Sequence, residues 1–337
     1  MKFYKDFSLK DYNTFGLDVL TRYFYEFDSE EDLKQILKED TIRTNRLLVV
    51  GQGSNLLFLN NFEGVVLHSA MKDVRVLEQS GDNVLVEAGA GVLWDDLVDF
   101  CVHNNWWGIE NLSLIPGETG AAAIQNIGAY GAEIKDVVQK VKTIEIESCN
   151  ERVFDVSECS YGYRQSVFKN DLKGRFIVTS IVIKLSAKPL LNLNYQHLEQ
   201  EVMKKGVLSL QNIRNTIIEI RESKLPDPKL LGNAGSFFMN PVVSGDKYQS
   251  LEHDYPQMPH YKVSETEEKI PAGWLIEQCG WKGKSIGKVG VHEKQALVLV
   301  NLGGANGKDV QELAGKIQES VAVKFGITLI PEVNYIT

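Results

Sequence analysis

The chain has 337 residues, 43% hydrophobic and 24% charged, which fits an ordinary soluble globule of two domains, or of three small ones. Its 36 Lys and Arg against 45 Asp and Glu give a formal charge of -9, which argues against nucleic acid or an anionic membrane as partner. An anionic substrate would therefore need local cations. Cys101, Cys149, Cys159 and Cys279 form no C-x-x-C pair, so neither a zinc site nor a secreted disulfide framework is expected. Residues 1–10 lack the apolar stretch of a signal peptide and no run approaches ~18 apolar residues, so the expected compartment is the cytoplasm.

In chain order, Asp28, Ser29, Glu30, Glu31 and Asp32 open a helix whose apolar positions are Leu33, Ile36 and Leu37. Short strands are expected at 47–50, 65–67, 84–87 and 141–146, with a longer one at 176–185. Residues 190–201 form a polar stretch that includes Tyr195. Residues 224–228, with Pro226 and Pro228, are punctuation, and a last domain is expected to begin near them. Val310, Leu313, Ala314, Ile317 and Val321 recur at helical spacing after Asn306 and Gly307. A strand is expected at 327–330. Strands with few long helices between them point to an α+β fold rather than a regular βαβ array.

Several motifs fail. The run from Gly51 to Gly53 lacks the third glycine and the βαβ unit of a dinucleotide fingerprint, and Gly89-Ala90-Gly91 fails likewise. The six histidines show no metal-ligand spacing, so no metal is expected, and no G-x-S-x-G elbow is present.

Five motifs survive. Gly51, Gln52, Gly53, Ser54, Asn55 and Leu56 follow a buried strand, and such a turn either builds an anion-binding nest or is a plain turn. Residues 115–131 are dense in Gly and Ala, which suits a flat ligand lying against backbone; the alternative is a close helix–helix or helix–sheet contact. Arg164 beside Tyr163 can grip a carboxylate or phosphate in fork geometry, or form a surface ion pair. Ser236 lies between a glycine turn and two phenylalanines. It is either a turn serine or a proton donor to a strongly basic carbon in a dry site. Glu332 follows Pro331 at the end of an apolar run. It is either exposed or buried enough for proton work.

Together and in this order, the motifs resemble the UDP-N-acetylenolpyruvoylglucosamine reductase family, flavoenzymes of peptidoglycan precursor synthesis. The resemblance runs from Asn13-Thr14-Phe15-Gly16 to Pro331-Glu332-Val333 and includes residues 273–280 and 292–301. It implies an FAD-binding fold of the p-cresol methylhydroxylase type in two subdomains, with a C-terminal α+β substrate domain. The implied boundaries are 1–72 and 73–212, with the FAD region about 16–187, and 213–327 for the substrate domain. The tail 328–337 is expected to return to the first subdomain.

The resemblance further implies non-covalent FAD held by residues 51–56 and by Pro116, Gly117, Gly120, Ala121, Gln125, Gly128, Ala129 and Tyr130. In the implied reaction NADPH reduces FAD and leaves. Flavin N5 then delivers hydride to C3 of UDP-N-acetylglucosamine enolpyruvyl ether, and Ser236 adds a proton at C2 to give UDP-N-acetylmuramate. Arg164 matches the arginine that stabilises the enolic carboxylate. Glu332 matches the carboxyl completing that site, in its protonated form. Tyr195 looks like the tyrosine that folds over the diphosphate in the longer-loop (type I) subgroup, whose insertion spans 187 to about 203. Tyr163, Lys224, Asn240 and Gln295 match substrate or NADPH contacts. Ala121 and Met239 depart from a common serine and a common lysine. A monomer is expected. The rival readings are a flavin oxidase on the same fold and a catalytically inactive flavin-binding module.

Overall fold

The helix expected after Asp28 forms at Glu30–Ile36. Ser29 is extended and its hydroxyl accepts from Asp32 N at 3.1 Å, while Glu30, Glu31 and Asp32 fill the first turn, where the helix dipole favours carboxylates. The computed structural model describes residues 1–195 and 197–337. Gln196, inside the expected inserted loop, lies outside the described residues.

The chain divides into two units. The first comprises Met1–Phe7, Thr21–Gln52 and Glu63–Arg221; the second comprises Ser8–Leu20, Gly53–Phe62 and Glu222–Thr337. In the first, strands Lys2–Ser8, Leu20–Phe27, Phe62–Ser69 and Arg46–Val50 lie side by side in that order, the last two parallel. A five-stranded antiparallel sheet runs Glu151–Asp155, Val138–Glu145, Phe176–Ser186, Asn83–Gly89, Val74–Ser80. One face of Asn83–Gly89 carries Val84, Val86 and Ala88 into the main core with Ile181 and Ile183, as the alternation of a half-buried strand dictates. Two helices on this core, Trp94–His103 and Leu210–Lys224, are absent from the sequence reading.

In the second unit, strands Gly232–Ser236, Val298–Asn301, Val289–Val291 and Ser285–Ile286 form an antiparallel sheet. The helix Gly307–Phe325 forms as expected, with Asn306 and Asp309 in a reciprocal capping box. Residues 327–330, expected as a strand, form no ladder. The Leu329 carbonyl accepts from Gln318 Nε2 at 2.8 Å, the Ile330 carbonyl accepts from Met239 N at 2.9 Å, and the following proline has no N–H to extend the pairing. The C-terminal strand is instead Asn334–Ile336, parallel to Leu56–Phe58.

Candidate functional site

In the first unit, Arg46–Val50 ends at Gly51. A β-carbon on Gly51 would lie 2.9 Å from Glu118 Oε2, and Gln52 Oε1 accepts from Gly117 N at 2.9 Å, so the first glycine turn is stitched to the second small-residue segment. Glu118 is buried. Its Oε1 is 3.1 Å from His68 Nε2, and His68 Nδ1 is 3.2 Å from Glu26 Oε2; the other oxygen of Glu26, Oε1, pairs with Lys2 Nζ at 2.6 Å. Burial acts to raise the Glu26 pKa, but hydrogen bonds from Lys2 and His68 overcome it and hold the group below the usual glutamate range. No motif marks this chain, because its members run from Lys2 to Glu118 and share no spacing.

Residues 119–125 form a helix packed on the five-stranded sheet. A β-carbon on Gly120 would meet the Ala90 β-carbon at 2.9 Å, Gly120 N donates to Ala90 O at 3.0 Å, and Ala122 and Ala123 are buried. Helix–sheet contact therefore accounts for part of the small-residue density. Ala121, Gln125, Gly128, Ala129 and Tyr130 are half-buried, while Pro116 is exposed. Gly89 and Gly91 also owe their identity to packing, since β-carbons there would lie 2.4 Å from Met71 O and 2.2 Å from Ser69 O.

Arg164 sits at the third position of a tight turn closed by reciprocal Gly162–Gln165 backbone hydrogen bonds, with φ +57°, a strained setting for a side chain with a β-carbon. Its Nη2 donates to Gly128 O at 2.9 Å, Nη1 reaches Asn126 O at 3.5 Å, and the exposed Tyr163 ring lies beneath the guanidinium at 5.5 Å. Arg164 is thus anchored to the end of the small-residue segment.

A second arginine escaped the sequence reading. Arg221, near the end of Leu210–Lys224, donates from Nε to Leu114 O at 3.2 Å. Burial pushes its guanidinium below the usual range against the opposing pull of Tyr130 and Asp95, and the Arg164 charge adds to the lowering. One face of that helix also carries Arg214, which makes a bidentate pair with Asp95 at 2.7 and 3.0 Å, and Asp95 accepts from Leu114 N at 2.5 Å. Leu114 itself has φ +57°. Burial raises the Tyr130 pKa, and the Tyr195 ring stands edge-on to Tyr130 at 5.5 Å. Tyr195 is 39% exposed.

The second unit carries the remaining residues. Gly53 has φ +64°, and a β-carbon there would lie 2.1 Å from Tyr12 O. Asn55 Nδ2 donates to Glu332 O at 3.1 Å, and Asn55 O accepts from Asn334 N at 3.0 Å. Ser54 and Leu56 are half-buried. Strand Gly232–Ser236 slips register against Val298–Asn301 between Asn233 and Ser236, with Gly235 at φ +67°, and this bulge leaves Ser236 exposed. Glu332 N donates to Phe237 O at 2.8 Å, so the half-buried Glu332 is held beside the Ser236 strand. Asn240 Oδ1 accepts from Ala272 N at 2.9 Å, and Gln295 Oε1 from Leu297 N at 3.3 Å. Lys224 is exposed. Among the described residues no group of three or more His, Cys, Asp or Glu is placed to hold a metal ion, and no helix is long and apolar enough to cross a membrane.

These features suit a dinucleotide with a pyrophosphate. The turn is bare of side chains at Gly51 and Gly53, as close approach of a pyrophosphate to backbone requires; a β-carbon would meet Glu118 at Gly51 and Tyr12 O at Gly53. The buried Thr14 Oγ1 finds no hydrogen-bond partner among the described residues, while Thr14 N donates to Gly53 O at 3.4 Å.

A family model described as FAD binding domain matches residues 21–148, and one described as UDP-N-acetylenolpyruvoylglucosamine reductase, C-terminal domain, matches residues 227–336. The chain is 49% identical to the UDP-N-acetylenolpyruvoylglucosamine reductase of Bacteroides fragilis (strain YCH46), over 98% of this chain and 99% of that one. It is 46% identical to that of Porphyromonas gingivalis (strain ATCC BAA-308 / W83), over 98% of each. Among solved structures, the Thermus caldophilus UDP-N-acetylenolpyruvylglucosamine reductase superposes with a TM-score of 0.70 at 24% identity, covering 100% of this chain and 98% of that one. A solvent-stable cholesterol oxidase gives a TM-score of 0.50 at 12% identity, covering 98% of this chain and 86% of that one; both likenesses speak to the fold.

The fold is α+β, with an FAD-binding region of the p-cresol methylhydroxylase type, and it defines an FAD-dependent oxidoreductase. The chain belongs to the UDP-N-acetylenolpyruvoylglucosamine reductase family. Its cofactor is FAD, and its reaction, a step of peptidoglycan precursor synthesis, is the reduction of UDP-N-acetylenolpyruvoylglucosamine.

Proposed function

We propose that the electrons come from NADPH and that Arg164, Ser236 and Glu332 carry the chemistry on the enolpyruvyl group. Residues 51–56 would hold FAD together with Pro116, Gly117, Gly120, Ala121, Gln125, Gly128, Ala129 and Tyr130. Neither 51–56 nor 115–131 contains His or Cys, which agrees with non-covalent attachment. When bound, FAD supplies the hydride that arrives at C3 of the substrate.

Ser236 gives its hydroxyl proton to C2, which completes addition of H⁻ and H⁺ across the double bond and yields the lactyl ether. A serine is a weak acid, and a carbanion-like carbon is basic enough to take its proton. The observation that carries this reading is the bulge at Ala234 and Gly235, which exposes Ser236 while the Phe237 carbonyl holds the Glu332 backbone alongside. Arg164 stabilises negative charge on the enolic carboxylate, fixed in place by the carbonyls of Gly128 and Asn126. Glu332 supplies the carboxyl that completes this group. Tyr163, Tyr195, Lys224, Asn240 and Gln295 bind the nucleotide, sugar and phosphates, Tyr195 as the mobile contact of the longer-loop subgroup. The FAD subdomains are 1–72 and 73–212, the substrate domain is 213–327, and the tail 328–337 returns to the first. The enzyme works as a monomer in the cytoplasm, where its nucleotide substrates are made, with no membrane or nucleic acid as partner.

In Ser236→Ala, flavin bleaching by NADPH should proceed at the normal rate. Reoxidation by the enolpyruvyl substrate should slow by about 10²–10⁴-fold, the range for a positioned general acid. Stopped-flow measurement of the two halves separates them, and near-normal reoxidation removes Ser236 from the mechanism.

A further inference from the structure

None of residues 9–17 is among the proposed contacts to cofactor or substrate, yet they are organised as a closed loop around one buried side chain. Asn13 is 3% exposed. Its Nδ2 donates to Leu9 O at 2.7 Å and to Leu17 O at 3.0 Å, and its Oδ1 accepts from Leu17 N at 2.9 Å. Leu9 N donates to Val19 O at 2.8 Å, so the two ends of the loop are pinned both by Asn13 and by the main chain. Leu9, Phe15 and Leu17 anchor it in the interior. Three amide hydrogen bonds from one side chain, all to the same loop, fix a backbone that has no ladder of its own.

This loop touches both halves of the chemistry assigned to the second unit. On one side it meets the cofactor turn. Thr14 N donates to Gly53 O, and the Tyr12 carbonyl occupies the space where a side chain at position 53 would stand, 2.1 Å from its β-carbon. On the other side it meets the strand of Ser236. The Phe15 carbonyl lies 2.2 Å from where a β-carbon on Gly232 would be, Asn233 N donates to Thr14 O at 2.9 Å, and Asn301 Nδ2 donates to Phe15 O at 2.9 Å. The Phe15 ring is edge-on to Phe237, the residue after Ser236, at 6.3 Å. Asn233 then passes the constraint on, because its Oδ1 accepts from Gly235 N at 2.9 Å and so sets the turn that displays Ser236. Three carbonyls of one short loop, at Tyr12, Thr14 and Phe15, therefore fix the Gly53 turn and the Gly232–Ser236 strand.

We propose that the loop 9–17 is a positioning element, locked by Asn13 as its positioning residue, that holds the FAD turn at Gly53 and the proton-donor strand in one register, so that a disturbance at either is felt at the other. The inference rests on the reading that the Gly53 turn holds FAD and that Ser236 donates the proton. The contacts combine backbone hydrogen bonds with the side-chain amides of Asn13, Asn233 and Asn301, and close-packed groups of this kind transmit a displacement rather than absorb it.

The test is a substitution on the proton-donor strand read out at the cofactor. Gly232→Ala places its methyl against the Phe15 carbonyl. FAD affinity of the apoprotein, followed by quenching of flavin fluorescence, should weaken by about 10-fold, within the usual span of coupling between sites. A control, Val310→Ala in the Gly307–Phe325 helix, removes core volume elsewhere in the same unit and should leave FAD affinity within about 2-fold, as expected of an uncoupled position. Phe15→Leu is the second variant should Gly232→Ala not fold. It keeps an apolar side chain but loses the ring against Phe237, and it should both weaken FAD and slow reoxidation by the enolpyruvyl substrate. Asn13→Asp, which loses both donations but keeps the acceptor, should do the same at a flavin reduction rate by NADPH unchanged once FAD is saturating. Wild-type FAD affinity in Gly232→Ala and Phe15→Leu, or an equal loss in Val310→Ala, overturns the proposal. Normal reoxidation in Ser236→Ala would instead defeat the underlying reading, so the two failures are distinguishable.

Discussion

The two units secure their candidate site residues by different means. In the first, polar side-chain contacts stand beside tight backbone packing: Asp95 with Arg214, Glu118 and Glu26 against His68 and Glu87 with Lys142, next to the close contacts of Gly89 and Gly91. In the second, main-chain contacts at Gly53 and Gly232 and the amide of Asn13 do it. A buried charge pair resists loss of either partner but tolerates small changes of shape. A backbone contact at 2.1 or 2.2 Å from a notional β-carbon tolerates no added atom. The first unit should therefore answer to charge and pH as well as to volume, and the second chiefly to volume.

The largest expected effect is at Gly53→Ala. The methyl collides with a carbonyl and sits at positive φ, so strain and overpacking together should cost up to about 4 kcal/mol, with loss of bound FAD on gel filtration. If instead the variant keeps FAD and melts normally, the second unit is not volume-limited. Arg214→Met comes next: it strands Asp95, which keeps some contact with solvent, and should cost about 3 kcal/mol in urea denaturation. Gly235→Ala separates the two ingredients of the first test. Its φ of +67° matches that of Gly53, but nothing lies within 4 Å of the added β-carbon, so only the conformational cost of about 1–2 kcal/mol should appear.

A smaller effect should come from acid. Burial works to raise the Glu87 pKa, but hydrogen bonds from Lys142 and Ser180 overcome it and leave the carboxyl below the usual glutamate range. A depressed folded-state pKa gives stability that is present above the unfolded value and lost as pH falls through the folded one. Melting temperature should thus drop below about pH 5, and Glu87→Gln should flatten that slope by about 1 kcal/mol at most. An identical slope in the variant would show that charge is not what holds this face. The smallest change is expected at the exposed Tyr195, whose ring stands edge-on to Tyr130. Tyr195→Phe should raise KM for the UDP-linked substrate several-fold, about 0.5–1.5 kcal/mol, with an intact flavin spectrum. An unchanged KM counts against its role.

What was legible in the sequence follows from the range of the forces involved. The helices at Glu30–Ile36 and Gly307–Phe325 announce themselves through Ser29 and Asn306, local caps that need no tertiary partner. The helix Trp94–His103 has no side-chain cap, and Leu210–Lys224 carries the β-branched run Thr216, Ile217, Ile218, so neither stood out. Residues 327–330 look like a strand by composition, but their carbonyls are taken by Gln318 and Met239. Order and type of the motif residues led to Arg164, Ser236 and Glu332. Arg221 and the His68 chain were invisible, because each depends on groups brought together from distant positions.

The parallel pairing of Leu56–Phe58 with Asn334–Ile336 has a consequence during synthesis. The strand that follows the Gly53 turn has its ladder partner almost 280 residues further on, so on the ribosome residues 56–58 must wait without that partner until residue 336 has emerged. FAD should therefore be captured only once residue 336 is available, and nascent chains stalled short of residue 334 should bind flavin poorly even though residues 51–56 and 115–131 have already been made.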